Sequence, residues 1–270
     1  MEAELWQEAR DRRQVFFKKR AINIVLDDVN AVMFGDFGNA FAPFQPSGKG
    51  NLGRDMQLTV DSGRLDDRRT LLASLDQFRR TVESGKATQG LDKFQSQAFE
   101  TLTGGISDAF DITKEDAKLI ERYDTSKLMD VEKIRKVWNN RPRYQNHVNN
   151  LGKLMLLARR LAERGAGFIT VSTDFVWDMH ADSNNATLTE GMGYVGTPFD
   201  HAVSAFIEDV EARGLRDKIL LVCCGEMGRN PKANKKGGRD HWGGSAPLMI
   251  YGGGLKMGQV VGSSTKDGGE

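Results

Sequence analysis

The feature that most restricts how this chain can fold is an alternation in its second half between helix-period stretches and short, wholly apolar runs. From Arg143 to Arg164 the apolar residues Val148, Leu151, Leu154, Met155, Ala158 and Leu161 form the stripe of an amphipathic helix, and Gly165 and Gly167 end it. Phe168–Val171 (FITV) then reads as a buried strand. A further helix from about Phe199 carries Ala202, Ala205, Phe206 and Val210 on one side and stops at Gly214. Ile219–Cys224 (ILLVCC) and Leu248–Tyr251 (LMIY) are two more apolar strands. Strands with no polar face are covered on both sides, so this order predicts an α/β fold with a mainly parallel sheet flanked by helices.

The first half reads differently. Ala21–Leu26 is a short apolar run of strand character, and 34–53 is rich in Gly, Pro, Asn and Phe, which marks a long loop. Helical spacing returns with Leu65, Leu71, Leu72, Leu75, Phe78 and Val82, and again over Leu91–Leu102. Thr113 followed by Asp116 resembles a capping box opening a short helix toward Tyr123. The expected division is a lead segment over 1–42 and a domain over 43–270. Within that domain a helical part spans about 65–140 and an α/β core about 143–270.

Charge excludes one class of function. Lysine plus arginine number 38 and aspartate plus glutamate 37, with no basic stripe, so bulk charge gives no attraction for nucleic acid. No apolar run is long enough to cross a membrane as a helix. Residues 1–20 lack the apolar stretch of an export signal. Cys223 and Cys224 are adjacent, cannot form a framework of long-range disulfides, and are expected to be buried, inert thiols.

Thirteen of the 30 glycines lie between Gly225 and Gly269, so the loops there bend sharply or pass close to something. The residues among them carry the chemistry. In open α/β sheets, sites form beyond the carboxyl ends of strands. Shortly after FITV comes Trp177-Asp178-Met179-His180, directly after ILLVCC comes Gly225-Glu226-Met227-Gly228-Arg229, and before LMIY comes Gly238-Arg239-Asp240-His241-Trp242. Carboxylate and imidazole together are the ligands of borderline divalent metals. Asp178 and His180, two apart in an extended segment, project to the same side, and His241 can complete the set. Glu226 is the candidate for a second metal, and Asp240 is a candidate to orient His241 by hydrogen bonding to its ring. Taken one at a time, each motif is equally a solvated loop or a structural ion pair; their conjunction at strand ends points to a polar site. His147, on the polar side of a predicted helix, and His201, near a helix start beside the capping acid Asp200, are expected to be structural.

The run GEMGRNPKANKKGGRDHWGGSAPLMIYGGGLKMGQVVG resembles the signature of the bacterial domain of unknown function 1501 family. The similarity extends through FVWDMHAD, NNLGKLMLLARRLAERG, DAFDITKEDAKLIERYDTS and LDDRRTLLASLDQFRR, about residues 43–270. Members of that family, abundant in planctomycete-type bacteria, are sulfatase-like proteins of the alkaline phosphatase superfamily. The resemblance implies an alkaline phosphatase/sulfatase-like core and a metal-dependent hydrolase of sulfate or phosphate esters. It implies a small anionic ester as substrate, sulfated carbohydrate included, and divalent ions (zinc, manganese, calcium or magnesium) as cofactors. It places Asp178, His180 and His241 on one metal and Glu226 on the other, where Met227 departs from an expected imidazole. Arg229 and Arg239 become candidate anion contacts, and Asp27 and Asp28 loosely match the paired aspartates after the first strand of sulfatases. No nucleophile can be matched, and family members are expected to extend beyond both ends of this sequence. The family is commonly exported, so the compartment stays open. The alternative reading is a non-catalytic or truncated member that acts as a binding or structural protein.

Overall fold

A computed structural model describes residues 23–26, 64, 67–68, 70, 106–173, 177–225 and 227–269. Asp27, Asp28, Glu226 and the helix expected over 91–102 lie outside the described residues. Of the helix expected over 65–82, residues 67, 68 and 70 are described, and all three are helical. The chain divides into two units, 1–111 with 160–170, and 112–159 with 171–270.

In the first unit, β1 (Asn23–Leu26) is hydrogen-bonded to β2 (Phe168–Val171). The short helix α1 (Ile106–Ala109) is fixed by Arg160, whose Nε donates to the Ala109 carbonyl at 2.8 Å and whose Nη2 donates to the Asp108 carbonyl at 2.7 Å. The turn into β2 is built on Gly165, whose φ of 92° lets Ala166 N–H reach back to the Leu161 carbonyl at 3.0 Å and its own N–H reach Ala162. That pair of bonds is the glycine-dependent helix stop foreseen from the sequence.

The second unit packs α2 (Ala117–Tyr123), residues 141–159 of α3 (Arg141–Glu163) and α4 (Leu188–Ala212). Asp116 caps α2, accepting from Lys118 N–H at 2.8 Å, so the acid anticipated inside a capping box is itself the cap. Tyr123, Leu151, Met155, Leu156, Ala202, Val203, Phe206, Val210 and Tyr251 form the main core. Each large side chain there contributes roughly 1.5–3 kcal/mol by leaving water. Gly152 lets α3 lie against the end of α2: a Cβ there would stand 1.7 Å from the Tyr123 carbonyl oxygen.

Helix α4 starts eleven residues before the expected Phe199 and runs through Pro198. Its true cap is Thr187, whose hydroxyl accepts from Glu190 N–H at 3.2 Å and donates to the Glu190 carboxylate at 3.0 Å. The apolar stripe continues backward through Val195 and Gly191, both buried, and that packing outweighs the loss of one ladder bond at proline. Asp200 and His201 therefore sit inside a helix and not at its start.

Strands β3 (Leu220–Cys224) and β6 (Leu248–Gly252) pair antiparallel, with Leu220 opposite Gly252 and Cys224 opposite Leu248. The sequence reading expects parallel strands, but among the described residues no helix lies between these two, and a parallel pair needs such a crossover. Instead β4 (Gly228–Arg229) and β5 (His241–Trp242) pair antiparallel inside the same excursion, continuing it as an interrupted two-stranded ribbon. Gly228 is required there, because a Cβ would stand 1.6 Å from the Ser245 carbonyl oxygen. One face of the ribbon turns Leu221 and Tyr251 toward the core, while Leu220, Val222, Leu248 and Ile250 are exposed on the other. Cys224 is exposed and Cys223 half-buried, so only Cys223, whose thiol burial pushes up in pKa, approaches the inert thiol expected.

Candidate metal-ligand cluster

The ribbon and the segment after β2 carry the polar motifs to one place. His241 opens β5, Arg229 closes β4 opposite it, and residues 230–240 form the tip between them. The tip is held by its own side chains. Asn234 accepts from Gly238 N–H at 2.9 Å and donates to the His180 carbonyl at 2.9 Å. Arg239 donates to the carbonyls of Asn230 at 2.8 Å and Pro231 at 2.6 Å. Its backbone N–H bonds the Met179 carbonyl at 2.9 Å. Gly238 permits this approach, since a Cβ there would be 2.3 Å from the His180 carbonyl. Ala181, directly after His180, is held at φ 57°, a left-handed conformation that non-glycine residues adopt at a cost of about 1 kcal/mol or more.

At the centre is Asp178, 7% exposed. Its Oδ1 lies 2.7 Å from His241 Nε2, 2.8 Å from His180 Nε2, and in contact with Arg229 Nη1. The two imidazole rings are 4.7 Å apart. Burial works against the charge on Asp178, but hydrogen bonds from His241 and Arg229 outweigh it and hold the carboxyl below its usual range. His180 Nδ1 lies 3.1 Å from Asp240 Oδ1, which also accepts from Asn234 at 3.3 Å. These bonds hold the Asp240 carboxyl low as well. The side chain that Asp240 orients is thus His180, not His241, because the His241 ring turns to Asp178 and leaves Asp240 beside the other histidine.

The donor set is that of a two-histidine, one-carboxylate site. One ligand-type atom from each of Asp178, His180 and His241 lies within 4.8 Å of the other two. A tetrahedral ion with bonds of about 2.1 Å needs ligand atoms about 3.4 Å apart, so modest side-chain movement would suffice. The Asp240 carboxylate on His180 Nδ1 is the outer partner that metal-bound histidines usually have. These residues can hold a borderline divalent ion. Beside them opens a shallow depression of about 460 Å³ lined by His180, Asp182, Asn234, Lys235, Lys236 and Asp240.

Of the residues singled out from the sequence, the structure brings together Asp178, His180, His241 and Arg229. Arg229 is engaged with Asp178, and Arg239 serves the tip loop through its two carbonyl contacts. Glu226 lies outside the described residues, while Met227 beside it is half-buried. Asn234 was not anticipated; its only sequence signal was an asparagine shortly before paired glycines in a polar loop, whereas Gly238 opens the GRDHW segment and makes the kind of close approach the glycine-rich stretch suggests. His147 is also not where its helix pattern placed it. It is 1% exposed, with Nε2 3.1 Å from the Val195 carbonyl and Nδ1 2.7 Å from Thr173 Oγ1. A carbonyl only accepts, so Nε2 carries the proton and Thr173 donates to Nδ1.

A carboxylate-centred cluster with two imidazoles defines the class of site. The match to known families then places the chain: the model for Protein of unknown function (DUF1501) matches residues 30–270, and the chain belongs to that family. Neither the curated proteins nor the solved structures contain a match.

Proposed function

We propose that this chain is a sulfatase-like, metal-dependent hydrolase of sulfate or phosphate monoesters, built on an alkaline phosphatase-like core. The observation that carries the reading is the convergence of Asp178, His180 and His241 in a chain of this family. In this reading Asp178 contributes the negative charge that draws a cation, and Asp240 fixes the His180 ring by accepting from Nδ1. Lys235 and Lys236 line the adjoining depression beside Asp182 and Asp240 and offer cationic contacts to an anionic ester. When bound, a zinc-like ion supplies Lewis-acid polarisation of the ester and a lowered pKa for a bound water. Arg239 is too committed to loop carbonyls to serve as a primary anion contact. Glu226 remains the proposed ligand of a second ion, and no side chain is assigned as nucleophile.

A second reading, a non-catalytic member that uses the cluster as an ion-pair knot, is favoured by one observation: Arg229 already neutralises Asp178. A screen of aryl sulfates and phosphates with zinc, manganese, calcium and magnesium separates the two. The hydrolase reading expects metal-dependent turnover that Asp178→Ala abolishes. Absence of turnover with all four metals favours the knot, whereas turnover indifferent to Asp178→Ala removes the cluster from the chemistry and overturns the hydrolase site as assigned.

A further inference from the structure

The contacts of Arg229 carry a consequence beyond the ligand set. Its Nη1 touches Asp178 Oδ1 and lies 3.4 Å from His180 Nε2, the two atoms that an ion would share. Guanidinium only donates hydrogen bonds. His180 Nε2 and Asp178 Oδ1 are themselves 2.8 Å apart, so the guanidinium lies against both atoms of the pair that an ion would bridge.

The geometry points to Arg229 as a resident cation that a divalent ion displaces, so that metal loading frees its guanidinium to bind the oxyanion of the substrate. This rests on the metal-site reading above and adds to it a coupling between two ligands through one side chain. A divalent ion and the guanidinium compete for the same Asp178 oxygen, because two cations at contact distance repel. Arg229 sits on β4 opposite His241 on β5, so a guanidinium released from Asp178 starts beside the metal ligands. A planar fork is the best side chain for bidentate contact with sulfate or phosphate oxygens. Coupling of this kind is reciprocal: the metal tightens the oxyanion and the oxyanion tightens the metal.

The prediction has an unusual sign. Removing a side chain that touches a ligand ordinarily weakens metal binding, whereas removing a competitor strengthens it. Zinc affinity is measured against a chromophoric chelator for the full chain and for Arg229→Gln, with circular dichroism melting as the control for folding. Arg229→Gln should bind zinc about tenfold more tightly, the order of effect that groups around a metal site exert. Zinc should raise sulfate affinity in the unaltered chain and fail to do so in Arg229→Gln. The unaltered chain provides a second measurement that needs no variant: the guanidinium ¹⁵N resonances of Arg229 should shift on zinc addition. Unchanged or weaker zinc binding in a folded Arg229→Gln, or unmoved resonances in zinc-loaded protein, overturns the exchange alone. Failure of the unaltered chain to bind zinc at all overturns the metal-site reading, and the exchange with it.

Discussion

Two polar clusters in the second unit each set arginine against a buried aspartate, but they differ in how charge is balanced. In one, Arg159 is fully buried and ion-paired with Glu115 at 2.8 Å and Asp209 at 2.7 Å. Arg213 meets the same two acids at 2.9 and 2.7 Å, and the Tyr123 hydroxyl donates to Asp209 at 3.1 Å. Two cations face two anions, each acid paired with both arginines. In the other, nitrogens from His180, His241 and Arg229 converge on a single oxygen of Asp178, and His241 remains exposed on its outer side. The first arrangement is closed and ties α3 to α4 and the segment before α2. The second concentrates donors at one point and leaves a side open to a ligand. The difference teaches that charge balance, rather than charge content, separates a structural knot from a candidate site.

That contrast is broken most forcefully at Arg159. Arg159→Ala leaves Asp209 and Glu115 buried with one cation between them, a loss of about 3–5 kcal/mol expected in urea unfolding. Asp178→Asn should instead lower stability by about 1 kcal/mol while removing metal binding. Equal stability losses at the two positions would erase the distinction. Next in size is Gly152→Ala, whose methyl meets main chain and not a yielding side chain. A melting study should find about 1–3 kcal/mol lost, with the metal-site properties unaltered.

The pH dependence of stability comes third. Burial holds the His147 imidazole below its ordinary pKa of 6.5. The unfolded chain thus takes up its proton first, and stability falls as pH drops below that value and is level above it. Urea midpoints between about pH 5 and 8 should show this acid limb, and His147→Gln should flatten it. A limb of the same steepness in the variant would assign the effect elsewhere. The smallest effect is on the surface. The Lys127–Glu121 pair at 3.0 Å is exposed on both sides and screened by solvent, so Lys127→Ala should leave the urea midpoint essentially unmoved.

How much of this was legible in the sequence depended on range. Local patterns read well: α3, the glycine stop at Gly165, and the strands FITV, LLVCC and LMIY stand within two residues of where their patterns put them. Asp178, His180 and His241 were legible because residue type and position near strand ends coincided, and the fold brings them to hydrogen-bonding distance. Pairings between distant segments were not. The antiparallel register of β3 with β6 depends on partners more than twenty residues apart, which no local period encodes. The start of α4 was missed because proline ordinarily closes a helix, and only the packing of Gly191 against Met179 shows why the helix continues. His147 was misplaced for a related reason. A helix wedged between neighbours buries its nominally polar side, and that histidine finds its partners, Val195 and Thr173, only after folding.

The central claim is that Asp178, His180 and His241 form a divalent-metal centre. Anomalous diffraction at the zinc absorption edge, from crystals of the full chain grown with zinc, tests it most directly. One strong peak is expected, bonded to the Asp178 carboxylate and to Nε2 of both histidines, and absent from His241→Ala crystals grown alike. A map without that peak, with Arg229 still against Asp178 at saturating zinc, would contradict it.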